Sequence, residues 1–197
     1  DLPSSSTLRL AAAPPTAAEL QPLPDVALNE ARKLGCSYAD IRINRYRNRT
    51  VSLRTSPERG APTKVNNVPG VIETGSFGFG VRVIHSGSWG FAAGPQVTKD
   101  AIARAVADAV AIAKANAAIQ KAPIELAPVP AYRDRYVTPH LKDPFEVPIQ
   151  DQIAFLQGVH DAARSVKGVG SVNSGMVFRT EDKYFASSDG SSISQLI

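Results

Sequence analysis

The stretch from Gly75 to Gly94 constrains the fold of this chain more than any other feature. It reads GSFGFGVRVIHSGSWGFAAG, with strand-like runs over residues 77–84 and 89–93 and a turn over residues 85–88. Alternating apolar residues on both sides of a glycine-containing turn predict a β-hairpin. Because glycine weakens a strand unless a backbone or side chain approaches it closely, we expect tight packing against this hairpin.

Two long helices are expected to pack on the resulting sheet. Thr98 is a favourable N-cap for a helix that runs to about residue 119, and an apolar stripe at helical spacing follows it. The rings of Trp89 and Phe91 should pack against this helix. A second long helix is predicted over residues 149–166, with Ile149, Ile153, Leu156 and Ala163 on its inner face. The stripe of the first long helix consists of Ile102, Ala105, Val106, Ala109, Val110 and Ala113.

A shorter helix opens the domain. Pro24 suits its first position and Gly35 ends it, so the helix is predicted over residues 24–34. Its apolar face consists of Ala27, Ala31 and Leu34. Residues 1–22 are rich in Ser, Pro and Ala without a period, which predicts a flexible leader before a domain over residues 23–197.

Further hairpins complete the first half of the expected sheet. Residues 38–46 and 50–54 alternate in polarity and predict a pair of strands, with Ile41, Ile43, Val51 and Leu53 facing inward. Residues 56–75 are punctuated by Pro and Gly and predict a long loop.

The second half continues the same pattern. Six prolines over residues 122–148 predict a surface connection. The tail predicts strands over residues 171–180 and 183–188, a turn at Asp189 and Gly190, and a last strand from Ile193. The predicted fold class is therefore α+β, a mixed or antiparallel sheet of hairpins with two long helices packed on it.

Basic residues are concentrated in one segment. Residues 32–64 hold nine Lys or Arg and two acidic residues, a charge of +7 in a chain whose net charge is +4. Such a stripe can mark a polyanion partner, and it is also the usual solvated face of an edge hairpin. Between Arg42 and Arg59, Tyr46 is the one aromatic residue, so the stacking platform of single-strand binders is missing. Nucleic acid is therefore not the favoured partner.

No pattern of catalytic or metal-ligating residues stands out in the sequence. The histidines His85, His140 and His160 have no acidic or histidine neighbour at metal-ligand spacing. We interpret His85 as a solvated turn residue and His160 as a packed, hydrogen-bonded histidine. The single cysteine, Cys36, follows a helix C-terminus, where a raised thiol pKa favours a structural role. No apolar run approaches the length of a membrane span.

Residues 24–116 resemble the N-terminal domain of the TldD/PmbA family, known as metalloproteases and as modulators of DNA gyrase. The resemblance lies in SFGFGVRVI at residues 76–84, GSWGFAA at residues 87–93 and the alanine-rich helix at residues 105–113. Upstream, the opening helix and the ADIR strand start at residues 39–42 are also similar to the family.

The resemblance implies a place for this chain within a hydrolase. In the family's active members, a His-Glu-x-x-x-His helix and a downstream cysteine hold the metal in a region after this one. None of those positions occurs here, so no catalytic or metal-ligating residue is carried over, and zinc is expected only in the downstream region of the full-length protein. The chain would be the non-catalytic domain of a zinc metallopeptidase for unfolded peptides, with a role in the substrate cavity and in assembly.

The glycine-bearing hairpin is the candidate substrate-binding element. A sheet edge with glycines can add an extended peptide by main-chain pairing. The expected contacts are Phe77, Gly78, Phe79, Gly80, Trp89, Gly90 and Phe91. The expected partners are a peptide or unfolded-protein substrate and another subunit, in a homo- or hetero-oligomer. Because the sequence ends within a predicted strand at Ile197, we interpret it as a fragment or processed piece that self-associates or whose last strand another chain pairs.

An alternative function stays open from the residues alone. The chain could be a stand-alone module that binds a protein or a polyanion through the basic segment, without any protease role. The family resemblance implies a cytoplasmic protein, and a signal peptide before Asp1 would imply an exported one.

Overall fold

The structure, a computed structural model, describes Leu20, residues 22–59 and residues 61–197, without the side chains of residues 61–64. Most of the leader predicted over residues 1–22 lies outside the described residues, although Leu20 is buried in the core. The described elements are, in chain order, helix α1 (Pro22–Lys33), strands β1 (Tyr38–Glu58), β2 (Ala61–His85) and β3 (Ser88–Gly94), helix α2 (Lys99–Ala117), strand β4 (Arg133–Val137), helix α3 (Ile149–Arg164), and strands β5 (Val172–Ser187) and β6 (Ser192–Leu196).

The described strands form one six-stranded sheet in the order β3-β2-β1-β5-β6-β4. Neighbouring strands are antiparallel except β4 and β6, which are parallel. Helices α1 and α2 bury one apolar cluster against the sheet at Ile41 and Ile43, and α3 buries a second one at Val51 and Leu53. The α+β class with a mixed sheet and packed helices is confirmed.

Strand β1 is longer than the sequence suggested. It runs unbroken for 21 residues, so the turn predicted between residues 46 and 50 is wrong. Ile41, Ile43, Val51 and Leu53 are buried as expected, because all four odd positions face the same side of one strand. The segment over residues 47–50 offers no glycine or proline to break that alternation.

Strand β2 replaces the predicted loop over residues 56–75. It pairs with β1 along nearly its whole length, from Ala61 opposite Glu58 to Ile84 opposite Tyr38. Strand β3 covers only the end of β2, from Phe79 onwards. The prolines that suggested a loop therefore lie in an edge stretch, where a missing backbone donor is tolerated.

The hairpin of β2 and β3 and the helix that follows it are confirmed. Ser86 and Gly87 have φ values of 52° and 72°, as expected for the two central residues of a tight turn with positive φ. The Thr98 hydroxyl accepts a hydrogen bond from the Ala101 amide and caps α2. All six residues of the predicted apolar stripe of α2 are buried.

The other two helices depart from the predicted faces. In α1, Ala27 and Ala31 are buried, but Leu34 lies just after the helix and is 40% exposed. In α3, Leu156 is buried and Ile153 packs beside it. The buried stripe of α3 also includes His160, which was predicted to pack, and the polar residue Gln152, which a search for apolar periodicity cannot find.

The C-terminal strands correct a further expectation. Strand β5 is continuous from Val172 to Ser187, and residues 133–137 of the predicted connection form β4. Strand β6 pairs with β5 on one side and with β4 on the other. The last strand is therefore paired on both sides within the chain, and the expected pairing of this strand by another chain is wrong. No helix in the described residues is long and apolar enough to cross a membrane.

Candidate functional site

The face of the sheet opposite the helices is called here the open face. Even-numbered side chains of β1 point to it, since the odd-numbered apolar ones, from Ile41 to Leu53, are buried under the helices. Arg42 lies between Gly80 of β2 and Phe185 of β5, and Asn44 lies between Gly78 and Lys183. On the open face, the side chains of Arg42 and Asn44 thus lie next to a part of β2 that presents no side chain, because Gly78 and Gly80 occupy its two successive positions there.

A cavity of about 590 Å³ occupies this part of the open face. We call it the glycine groove. Its floor includes Gly78 and Gly80, one wall includes Phe91, and the opposite side carries Arg42 and Asn44. A Cβ atom at position 80 would lie 3.0 Å from the Phe91 ring, and one at position 78 would lie 3.0 Å from the Gly94 carbonyl oxygen. Both glycines therefore keep the floor flat and let the strands and the ring lie close to it.

The groove ends at a buried ion pair. The Asp40 side chain is 1% exposed, and its Oδ2 lies 2.7 Å from Nη2 of Arg82. The Arg82 Nε also donates to the same carboxylate, at 3.0 Å. The hydrogen bond to Asp40 raises the pKa of Arg82, so this guanidinium stays charged and fixed in place.

Two aromatic rings stack beside that ion pair. The Arg82 guanidinium lies 5.5 Å from the Trp89 ring centroid, and Trp89 meets Tyr38 edge to face at 5.7 Å. Burial, followed by the charge of Asp40, raises the pKa of Tyr38. Tyr38 therefore keeps its phenol proton at neutral pH and cannot serve as a phenolate base there.

A hydrogen-bonded network fills the middle of the open face. Glu181 Oε1 accepts from the Asn44 amide at 2.7 Å and from the Tyr46 hydroxyl at 2.9 Å, and Lys183 lies 3.0 Å away. Burial alone would raise the pKa of Glu181, but hydrogen bonds from Lys183 and Tyr46 and the charge of Lys183 together lower it. Glu181 is therefore an engaged carboxylate rather than a proton donor at neutral pH.

The seven residues predicted to contact substrate divide between the two faces of the hairpin. Gly78, Gly80, Trp89 and Phe91 belong to the open face. Phe77 and Phe79 pack against the core, with Phe79 only 5% exposed, but both also line the glycine groove. Trp89 does not line the groove, and Gly90 faces α2. The expectation that Trp89 and Phe91 pack against this helix is wrong, because they alternate with Gly90 along β3.

Sequence reasoning missed the polar partners of the groove. Asp40, Arg42 and Asn44 were read as parts of one strand, but their neighbours Phe185 and Lys183 lie more than 130 residues away in the chain. The signal available in the sequence is their spacing of two residues, which places positions 40, 42, 44 and 46 on one face of β1.

Three further arginines of β1 have partners within the fold. Arg49 is buried, pairs with Glu73 and donates to the Pro144 carbonyl oxygen at 3.2 Å. Arg47 lies 4.2 Å from the Phe145 ring centroid, and Arg45 lies 3.8 Å from Asp182. The alternation of β1 places these three arginines on the helix side of the sheet, where they join strands and loops.

A second polar cluster lies under α3. His160 is fully buried, with Nδ1 2.6 Å from the Thr55 hydroxyl and Nε2 2.6 Å from the Ser174 hydroxyl. The Thr55 hydroxyl donates its proton to Asn67 Oδ1 at 2.6 Å and therefore accepts a hydrogen bond from His160 Nδ1–H. Nε2 of the neutral imidazole then accepts a hydrogen bond from the Ser174 hydroxyl. The prediction of a packed, hydrogen-bonded histidine is confirmed.

The described residues do not fit a zinc site. They contain no group of three or more His, Cys, Asp or Glu side chains that could hold a metal ion. Burial raises the pKa of the Cys36 thiol, and the charge of Lys114 offsets this in part. The thiol is therefore poor in the thiolate form that binds zinc or attacks a substrate.

Comparison with known proteins gives a match to one family model and matches to solved structures of one fold. The family model described as PmbA/TldA metallopeptidase domain 1 matches residues 64–113. That match covers most of β2, the whole of β3 and most of α2. No curated protein sequence is significantly similar to the chain.

Three solved structures share its fold. A proposed modulator of DNA gyrase from Bacteroides thetaiotaomicron aligns with a TM-score of 0.65 and 16% identity, over 92% of this chain and 39% of that one. A second proposed gyrase modulator, from Thermotoga maritima, aligns with a TM-score of 0.56 and 14% identity, over 92% of this chain and 37% of that one. TldE from Thermococcus kodakarensis aligns with a TM-score of 0.54 and 15% identity, over 90% of this chain and 36% of that one.

The chain spans less than two fifths of the length of each of these proteins. At such identities the structural likeness shows the fold alone, whereas the family model matches the sequence of the hairpin and helix themselves. Together they confirm that the chain resembles the N-terminal domain of the TldD/PmbA family.

Proposed function

We propose that this chain is the non-catalytic N-terminal domain of a TldD/PmbA-type zinc metallopeptidase, and that its glycine groove holds an extended, unfolded peptide. The observation that carries this proposal is the flat glycine floor at Gly78 and Gly80, open to solvent beside the exposed ring of Phe91. A main chain can lie flat on such a floor, where any side chain from β2 would stand in its way.

The edge of the sheet supports the same role. Strand β3 is the first strand of the sheet order, and no strand of the described residues pairs with its outer edge. The Trp89 carbonyl oxygen of this strand accepts a hydrogen bond from the Asn116 side-chain amide. The remaining outward backbone groups of β3 can add one further strand by main-chain hydrogen bonds, which are tolerant of sequence. A peptidase acting on unfolded chains needs that tolerance, because its substrates share a backbone rather than a motif.

The peptide-bond chemistry is assigned to another part of the protein. The matching family model is described as a metallopeptidase domain 1, and the described residues offer no zinc site. This domain would contribute binding and orientation of the peptide, while residues outside it hold the metal. We also propose that the full-length protein works as a homo- or hetero-oligomer, in which a second subunit covers the open face.

The proposal is tested by removing the aromatic wall of the groove. Phe91 is 56% exposed, so Phe91→Ala should leave folding largely intact. We expect the variant to bind a fluorescent unfolded casein fragment about fivefold more weakly than the wild type, because one aromatic contact is lost. Fluorescence anisotropy of the labelled fragment measures this affinity.

Phe155→Ala is the matched control. Phe155 lies on α3, outside the groove, and is 63% exposed. This variant should bind the fragment as the wild type does. Equal loss of affinity in both variants, or no binding by the wild type, would contradict the proposed function.

A further inference from the structure

We infer that the glycine groove selects peptides that carry an acidic side chain, and that Arg42 binds the carboxylate. This inference rests on the proposed function, since it names the substrate class of the same groove. It starts from a difference between Arg42 and the ion-paired arginines at positions 45, 47, 49 and 82.

Arg42 has no carboxylate partner among the described residues. Arg82 pairs with Asp40, and Arg47 and Arg49 both lie within ion-pair distance of Glu73. The Arg42 side chain is exposed, and its guanidinium carbon lies 5.5 Å from the centroid of the Phe185 ring. A guanidinium stacked on a ring keeps the N–H groups at its edge available for a further acceptor.

The position of Arg42 makes those donors accessible from the groove. Its neighbour on β2 is Gly80, which has no side chain to cover it. Arg42 borders both the glycine groove and a second cavity of about 560 Å³ on the β5 side. A peptide lying along the glycine floor would therefore pass within reach of the guanidinium.

The surrounding carboxylates do not compete for this charge. Asp40 is engaged by Arg82, and Glu181 by Lys183, Tyr46 and Asn44. Asp134 lies in the same row of the sheet but three strands away, about 14 Å at normal strand spacing.

The positive charge of Arg42 is thus uncompensated next to an apolar wall. A Glu or Asp side chain suits it best, because a carboxylate can accept two parallel hydrogen bonds from one guanidinium.

Matched peptides test the inference. The full chain is titrated into a short, labelled, unstructured peptide with one central Glu, and into its twin with Gln at that position. We expect the Glu peptide to bind about tenfold more tightly in roughly 0.15 M salt, as for one charge-assisted hydrogen-bonded pair. In Arg42→Gln, the two peptides should bind equally.

Arg54→Gln is the matched control, because it removes one arginine from the same face of the same strand. Position 54 is twelve residues from position 42, about 40 Å along an extended strand. This variant should keep the tenfold preference.

The outcomes separate the two proposals. If the wild type binds both peptides with equal affinity, the role of Arg42 is overturned and peptide holding stands. If it binds neither, the proposed function fails. Equal loss of preference in Arg42→Gln and Arg54→Gln, or tighter binding of an oligonucleotide of the same charge, would also overturn the inference.

Discussion

Gly90 faces Ala109 across the junction of β3 and α2, and a Cβ atom at position 90 would lie 1.8 Å from the Ala109 carbonyl oxygen. The same atom would lie 2.9 Å from the Ala113 amide nitrogen. The helix backbone therefore rests directly on the strand. This contact fixes the strand whose other face presents Phe91 to the groove.

Gly90→Ala should consequently damage the fold. The added methyl group meets backbone rather than a flexible side chain, so helix and strand must move apart. We expect a loss of about 3 kcal/mol in the free energy of unfolding, measured by urea denaturation.

Gly158→Ala provides the contrast. Gly158 lies within α3, and a Cβ there meets nothing within 4 Å. This change should stabilise the protein by about 0.5–1 kcal/mol, since alanine is the better helix former. If both variants unfold at the same urea concentration, the close contact at Gly90 is not present.

Local patterns predicted the elements whose signals are local. The turn at Ser86 and Gly87 and the cap at Thr98 depend on a few adjacent residues, and both were found. The apolar stripe of α2 depends on spacing alone, and it was also found.

The errors arose where pairing between distant segments decides the structure. Prolines in residues 56–75 indicate a loop when read locally, but pairing with β1 holds that stretch as a strand. The contact between Arg42 and the Phe185 ring was missed for the same reason, because it depends on the pairing of β1 with the distant strand β5. Gln152 was missed on the buried face of α3, because its hydrogen bond to the Pro144 carbonyl oxygen lets a polar residue fit inside a core.

His160→Leu should destabilise the protein by about 2 kcal/mol or more. Thr55 is fully buried, and with leucine at position 160 its hydroxyl oxygen no longer accepts a hydrogen bond from the imidazole. The Ser174 hydroxyl likewise loses the imidazole nitrogen to which it donates. Thermal unfolding followed by circular dichroism measures the loss. His140→Leu is the control, since His140 is exposed in a loop and should change little. Equal stabilities for the two variants would argue against the hydrogen-bonded chain.

Glu181 should make stability depend on pH. Its pKa in the folded protein is lower than its ordinary value of 4.5, so its contribution is complete above that pH and is lost as the pH falls through the folded-state value. Glu181→Gln should therefore unfold about 1 kcal/mol more easily than the wild type at pH 7, and this difference should shrink below about pH 4.5. Urea denaturation over this pH range gives the difference. Glu125→Gln, at an exposed loop position, should show no such trend.

The basic segment should bind DNA only weakly. Arg45, Arg47 and Arg49 are held by contacts within the fold, which leaves fewer charges for phosphates than the sequence suggests. We expect half-retardation of duplex DNA at no less than about 10 μM protein in roughly 0.15 M salt, as for non-specific binding. Retardation at sub-micromolar protein in an electrophoretic shift assay would revive the polyanion-binding alternative.

The 197-residue chain by itself should neither hold stoichiometric zinc nor cleave peptides. Structural and catalytic zinc sites need three or four converging donors, and the described residues supply no such group. The raised pKa of Cys36 works in the same direction, because its thiol must lose a proton before it can bind zinc. Elemental analysis after dialysis should find far less than one zinc per chain, and digestion of unfolded casein should be undetectable. Zinc at one equivalent together with chelator-sensitive cleavage would place the catalytic centre within this domain and overturn its assignment as a binding domain.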